Sequence, residues 1–281
     1  MIGITGSTGE IGNKVLQVLL KSDAKICIFL RDMNQSQQFS GKNIEFRLFN
    51  FLNPSLSVLQ DITQLFWVLP NDHKELKLIK YEENWMNIAK QVGVKHIVKL
   101  SAMLAEKYDF FFHRQSEMNI EASGIFYTHL RANTFMQNFN NYDVDDIKGK
   151  QALFYPAGEG KMSFIDTRDI AEVAAKILLN PVEHINKEYT LTALSAFNYY
   201  EIGKIFTHEL KIDIIYYDTC QFPKKKLSNN IGNKINHPFY EAVKKGLFAT
   251  IFLDAAKILN RNPITLERYA HDYREYFLRK V

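Results

Sequence analysis

Cysteine is scarce. Cys27 and Cys220 are the only two in 281 residues, too few for a disulfide framework. Cys27 sits inside the apolar run "KICIFL" and reads as a small buried hydrophobe. No stretch reaches the ~18 consecutive apolar residues that a membrane span requires. No charged-then-apolar leader opens the chain. These absences set the expectation of a soluble protein in a reducing, cytoplasmic setting, with no membrane partner. A strong charge excess is also lacking. Lys and Arg number 35 against 31 Asp and Glu, a formal +4. That balance suits an anionic small ligand and is too weak to argue for nucleic acid. With 46% hydrophobic residues and no internal repeat or low-complexity linker, one compact unit, or one with a small annex, is expected.

Short apolar runs alternating with helical patterns dominate what is present. The runs are "IGIT" (2–5), "KICIFL" (25–30), "IEFRLF" (44–49), "LFWVL" (65–69), "HIVKLS" (96–101), "FYTHLR" (126–131) and "EYTLTA" (188–193). Several are near-continuous in Val, Ile, Leu and Phe, the composition of strands covered on both faces. Helices are expected from Ile11 to about Lys21, from about His73 to Val92 with a stop at Gly93, and from Arg114 to Ser123 with a stop at Gly124. Strand and helix alternating in this way predict a parallel sheet wound by right-handed crossovers, a doubly wound α/β fold. From about residue 195 the regularity fades. "NYYEIGKIFTHEL" reads as a helix and "IDIIYYD" as a short strand, and helical segments are expected near 239–259 and 264–278. Residues 1–194 are therefore read as a nucleotide-binding domain that includes part of a substrate wall. Residues 195–281 are read as a smaller α+β capping region packed on it.

The opening "MIGITGSTGEIGNKVLQVLL" runs a strand directly into an amphipathic helix through Gly6, Gly9 and Gly12. Gly6 permits a tight turn, Gly9 clears a path for a pyrophosphate, and Gly12 lets the helix pack on the strand. The free N–H groups at the helix start, that of Glu10 included, would hold the phosphates, with the Glu10 carboxylate turned to solvent. Glycine spacing alone is weak evidence; here the strand before, the helix after and the βα units beyond supply the context. At the end of the second run stands Arg31, where an NAD-selective site carries an acid. A guanidinium there suits a 2′-phosphate, so NADP(H) is the expected cofactor. The adjacent Asp32 could instead pair with Arg31 or bind a ribose hydroxyl.

The segments "TGSTGEIG", "AKQVGVKHIVKLSA", "HRQSEMNIEASGIFYTHLRANTFMQNF", "FIDTRDIAEVAAKIL" and "PITLERYAHDYREYF" together resemble the NmrA-like group of atypical short-chain dehydrogenases/reductases. That group includes NADPH-dependent quinone oxidoreductases, triphenylmethane and azo-dye reductases, and redox-sensing regulators. The resemblance runs along nearly the whole chain and is weakest around 195–262. It implies an NAD(P)-binding Rossmann fold. It also implies that Gly6, Thr8, Gly9, Glu10, Ile11 and Gly12 hold the pyrophosphate and that Arg31 meets the 2′-phosphate. Asn50 and Phe51 would flank the adenine, Leu69 and Pro70 would line the ribose and nicotinamide side, and Ser101, then Ala132 and Asn133, would follow. All stand at carboxyl ends of strands, where open α/β sheets bind ligands.

The Tyr-x-x-x-Lys pair usual in this superfamily is missing where it is expected. Tyr108 follows Ser101, but four residues on stands Phe112. Tyr240 and Lys244 have the spacing in the C-terminal region and read as coincidence. Alcohol and sugar chemistry is thereby disfavoured. Hydride transfer to a quinone-like or conjugated aromatic acceptor needs less help, because the cofactor carries the chemistry. Ser101 and His113 are the candidate assistants, with Glu117 one turn after His113 on the same face. An imidazole near its ordinary pKa of about 6.5 could polarise a carbonyl or relay a proton. The alternative is that His113 and Glu117 anchor their helix. Asp169 belongs with Asp166 and Thr167 at a helix start. Phe110, Phe111, His113, Phe135, Met136 and Tyr155 are the candidate substrate wall, each taken alone reading equally as core. Lys224–Lys226 reads as a solvated loop. No metal is expected. A small aromatic or quinone acceptor is the expected partner, and a second copy of the chain is left open. The rival reading is a non-catalytic NADP(H)-sensing regulatory protein.

Overall fold

The computed structural model describes residues 1–69, 75–107, 112–219 and 238–279. Pro70, Tyr108, Phe110, Phe111, Cys220 and the Lys224–Lys226 run lie outside the described residues. In chain order the strands are β1 (Ile2–Ile4), β2 (Ile26–Leu30), β3 (Ile44–Leu48), β4 (Gln64–Trp67), β5 (His96–Ala102), β6 (Phe126–Ala132), β7 (Ala152–Tyr155), β8 (Lys187–Leu191) and β9 (Ile215–Asp218). The helices are α1 (Glu10–Leu19), α2 (Leu56–Leu59), α3 (Glu75–Gln91), α4 (Phe112–Ser123), α5 (Asn138–Tyr142), α6 (Val144–Lys150), α7 (Thr167–Leu179), α8 (Tyr199–Leu210), α9 (Pro238–Lys244), α10 (Asp254–Leu259), α11 (Leu266–Asp272) and α12 (Arg274–Leu278).

By their contacts these elements form two compact units, Met1–Ala132 with Thr167–Leu191 and Asn133–Asp166 with Thr192–Val281. The division does not fall at the expected 194/195 boundary. The reason is strand pairing: β7, inside residues 133–166, finds its parallel partner in β9.

In the first unit the seven apolar runs become seven strands of one parallel sheet, in the order β3-β2-β1-β4-β5-β6-β8. Every residue of β1 and β2 is buried, as the continuous apolar runs require of strands covered on both faces. The α1 helix buries Ile11, Val15, Leu16 and Leu19 along one stripe. The Phe49, Phe51, Trp67 and Trp85 rings form an aromatic cluster, with Phe49 stacked on Trp85 at 4.6 Å. The order reverses at β1, with β2 and β3 on one side and β4, β5, β6 and β8 on the other. Such a reversal opens a crevice at the carboxyl ends of the strands.

The second unit has its own core, in which Phe139, Phe206, Tyr269 and Phe277 pack together. A capping box between Asn198 and Glu201 starts α8. The helix expected over 239–259 is broken. Gly246, with φ at +75°, ends α9, and Phe252 then exchanges hydrogen bonds with the Thr192 hydroxyl before α10 begins. The segment expected over 264–278 is likewise two helices, α11 and α12.

Candidate cofactor and active site

The glycine-rich crossover joins β1 to α1 within the first unit. Gly6 has φ at +65°, in the left-handed region that favours glycine. A Cβ on Gly12 would lie 2.2 Å from the Gly6 carbonyl oxygen, so no other residue fits without parting helix from loop. The α1 helix begins at Gly9 with no side chain capping it. Its first intrahelical bond runs from the Asn13 N–H to the Gly9 carbonyl. The N–H groups just inside this end are thus left for an anion. The Ser7 hydroxyl in the same loop is fully buried and has no hydrogen-bond partner among the described residues. Uncapped helix, bare glycines and an orphaned hydroxyl form a donor set that fits a pyrophosphate.

Several expectations about this loop need correction or sharpening. The Glu10 carboxylate is not simply turned to solvent. It pairs with Lys14 at 2.5 Å and accepts from the Thr167 hydroxyl at 3.0 Å, tying α1 to the start of α7. Ile11 is buried and Thr8 is exposed. Asp32 does not pair with Arg31; it caps the short turn that follows, accepting from the Asn34 N–H at 2.9 Å. Arg31 stands exposed at the end of β2.

Further along the carboxyl edge, Asn50 is exposed and accepts from the Leu52 N–H. The Phe51 ring is a core aromatic against Phe49 and Trp67, and its carbonyl accepts from the Trp85 indole. Leu69 is half-buried. The Ala132 carbonyl accepts from the Met103 N–H. In the second unit the Asn133 amide is fully used, donating to Ser163 and Phe248 and accepting from the Thr134 N–H. Of the expected substrate wall, Phe135 is partly buried. Met136 and Tyr155 are core residues of the second unit, not a free wall. The Tyr155 ring stacks on Tyr199 at 4.1 Å and its hydroxyl donates to Asp143. Lys244, the lysine of the stray Tyr-x-x-x-Lys, pairs with Glu241 at 2.9 Å.

Ser101, near the end of β5, enters a buried polar network that sequence reasoning caught only in part. Its hydroxyl donates to Glu117 at 2.6 Å. Glu117 is fully buried and receives two further bonds from Arg131, Nε at 3.0 Å and Nη2 at 2.8 Å, with Arg114 at 3.2 Å. Burial works to raise the Glu117 pKa. The Arg131 hydrogen bonds, His129 and Ser101 outweigh it, so the carboxyl sits below its ordinary range. Beside this network Lys99 is fully buried on β5, its ammonium donating to the Leu100 carbonyl at 3.0 Å. Burial pushes its pKa down, against the pull of Glu82 and Glu117. Glu82 accepts from the Trp67 indole at 2.7 Å and from Ser116 at 2.5 Å, and burial raises its pKa. A lysine at the centre of the buried run "HIVKLS" was the signal available for this pair.

His113 differs from expectation. Burial, and then the Lys99 charge, lower its pKa to about 3, with Glu117 opposing. At neutral pH it is an uncharged imidazole and not a ready source of protons. Glu117, Glu121 and His129 bring ligand atoms within 4.8 Å of one another, but Arg114 and Arg131 already hold the carboxylates.

Strand order, the glycine crossover and the polar groups gathered at one sheet edge define a Rossmann-type α/β protein. The chain belongs to the NmrA-like family, which it matches over residues 1–270. It is 27% identical over 209 residues to NAD(P)H azoreductase of Xenophilus azovorans, covering 72% of this chain and 71% of that one. An NADPH-dependent quinone oxidoreductase of Escherichia coli, solved with NADPH, superposes with a TM-score of 0.84 at 22% identity, over 97% of this chain and 99% of that one. The negative transcriptional regulator NmrA, solved with NADP, superposes with a TM-score of 0.75 at 13% identity, over 98% and 95%. Among the described residues no helix is long and apolar enough to cross a membrane.

Proposed function

We propose that the protein binds NADP(H) along the carboxyl edge of the seven-stranded sheet and reduces a flat conjugated acceptor of quinone or azo-dye type. The observation that carries the reading is the crossover itself. Gly12 packs so closely on Gly6 that no Cβ fits, and the uncapped α1 start faces that same loop. The azoreductase and quinone oxidoreductase relatives support the reductase assignment. Arg31, exposed at the end of β2, takes the 2′-phosphate and gives the preference for NADPH.

When bound, the reduced nicotinamide supplies a hydride. The chain's own residues bind and orient. The α1 N-terminus and Ser7 hold the phosphates, Arg31 fixes the adenosine end, and Ser101 meets the nicotinamide side. An electrophilic acceptor needs orientation more than acid–base help. That suits a site whose His113 is neutral and whose Ser101 proton is engaged by Glu117.

The experiment is loss of NADPH absorbance with a panel of quinones and of azo and triphenylmethane dyes. Turnover is the expected result. The occupied Ser101 is also compatible with an NADP(H)-sensing protein that turns nothing over. Absence of turnover, with clearly unequal affinity for oxidised and reduced cofactor, decides for that second reading.

A further inference from the structure

The hydroxyl at the end of β5 has a fixed polarity. Glu117, ionised in the grip of two nitrogens of Arg131, offers acceptors and no donor. The Arg131 guanidinium is held in turn by Glu188 at 2.6 Å and Glu106 at 3.5 Å. Across the 2.6 Å contact it is therefore Ser101 that gives its hydrogen to Glu117. What remains on Ser101 Oγ is lone pairs. The sheet order says which half of a dinucleotide meets it. With the phosphates at the β1–α1 crossover and the 2′-phosphate at Arg31 on the β2 side, the adenosine lies toward β2 and β3. The nicotinamide half then extends the other way, over β4 and β5. Nicotinamide carries one N–H donor group, its carboxamide NH2.

We propose that Ser101 Oγ accepts a hydrogen bond from the nicotinamide carboxamide, and that Glu117 and Arg131 are positioning residues that hold the hydroxyl in this polarity. The inference rests on the NADP(H) reading above. It assigns Ser101 to orienting the ring and not to protonating the product, because its hydrogen is committed to Glu117. An acceptor in this place also selects for the carboxamide over any group lacking an N–H.

The test is calorimetric titration of the purified protein with NADP+ and with its 3-acetylpyridine analogue, which carries a methyl group where the carboxamide carries NH2. Wild type is expected to bind the analogue about 3- to 10-fold more weakly, the worth of one hydrogen bond. Ser101→Ala is expected to bind the two nucleotides alike. Ser101→Cys, similar in volume and a weak acceptor, serves if the alanine variant does not fold. Glu117→Gln can turn an amide N–H toward Ser101 and release its hydrogen, so the ratio is expected to shrink there too. Damage to the fold alone lowers both affinities together and leaves the ratio in place. Equal binding of both nucleotides by wild type, or an undiminished ratio in the Ser101 variants, overturns the proposal. Failure of wild type to bind either nucleotide is a separate result, and it overturns the NADP(H) reading itself.

Discussion

At the scale of single residues, the site depends on atoms that are missing as much as on those present. Gly12→Ala sets a methyl group 2.2 Å from the Gly6 carbonyl oxygen. The loop and α1 must separate, at a cost of about 1–3 kcal/mol, typical of overpacking. Urea denaturation should show that loss, and calorimetry should show NADPH affinity falling by at least about tenfold as the phosphate cradle widens. Arg31→Glu is the complementary change, since it alters charge at an exposed position and leaves the core alone. A charge-assisted bond is worth about 1.5–3 kcal/mol. The NADPH-to-NADH affinity ratio should therefore drop by at least about tenfold; an unchanged ratio removes Arg31 from the specificity argument. The spacing of these glycines was legible in the sequence because the α1 pattern follows directly. The role of Asp32 was not legible, because only the turn after β2 shows its carboxylate capping Asn34.

At the scale of elements, β5, α4 and β6 are joined by the Ser101–Glu117–Arg131 network. Glu117→Ala leaves the Arg131 guanidinium without the one fully buried counter-charge it has among the described residues, since Glu106 and Glu188 are partly exposed. Breaking one partner of a buried pair costs about 3–5 kcal/mol. Replacing both, as Glu117→Leu with Arg131→Leu, should recover most of that loss, because apolar pairs of similar bulk substitute well for buried ions. Chemical denaturation of the single and double variants checks this, and a double variant as unstable as the single one rules it out. The seven strands of the large sheet, β9 and the helices α1, α3, α4 and α8 could be read from apolar periodicity, whereas β7 was not. The helix expected over 239–259 could not, because Gly246 and the pairing of Phe252 with Thr192 are tertiary choices that interrupt a pattern of helical appearance.

At the scale of the whole molecule, buried histidines set the response to acid. Burial lowers the pKa of His96 to about 4 and that of His113 to about 3. Unfolded, each titrates near the ordinary imidazole value of 6.5. Below that pH the unfolded chain takes up protons that the folded chain refuses, so stability falls as pH falls. The decline runs from about 6.5 to about 3–4, beginning before the carboxylates titrate. Glu121 adds a second window of the same sign. Hydrogen bonding from His129 is the largest influence, and with Arg114 it holds the pKa down at about 2, against an ordinary 4.5. Its contribution is present above 4.5 and is lost as pH falls toward 2. Urea midpoints across this range should decline in both windows, and His96→Asn should flatten the upper one. NADPH at about a hundred times its dissociation constant should add about 2.7 kcal/mol to stability, visible as a rise in melting temperature.

The sequence alone determined the seven strands, the crossover cradle and the class of fold. Each of these is written in local periodicity and in the one residue type that tolerates close backbone approach. Tertiary structure decided which strands pair, and it is β7 with β9 that assigns residues 133–166 to the second unit. It also decided the chemistry of the polar groups. Whether a histidine is charged, which way a serine hydroxyl points and whether a tyrosine lines a wall or fills a core depend on neighbours far along the chain, and burial sets the terms for each.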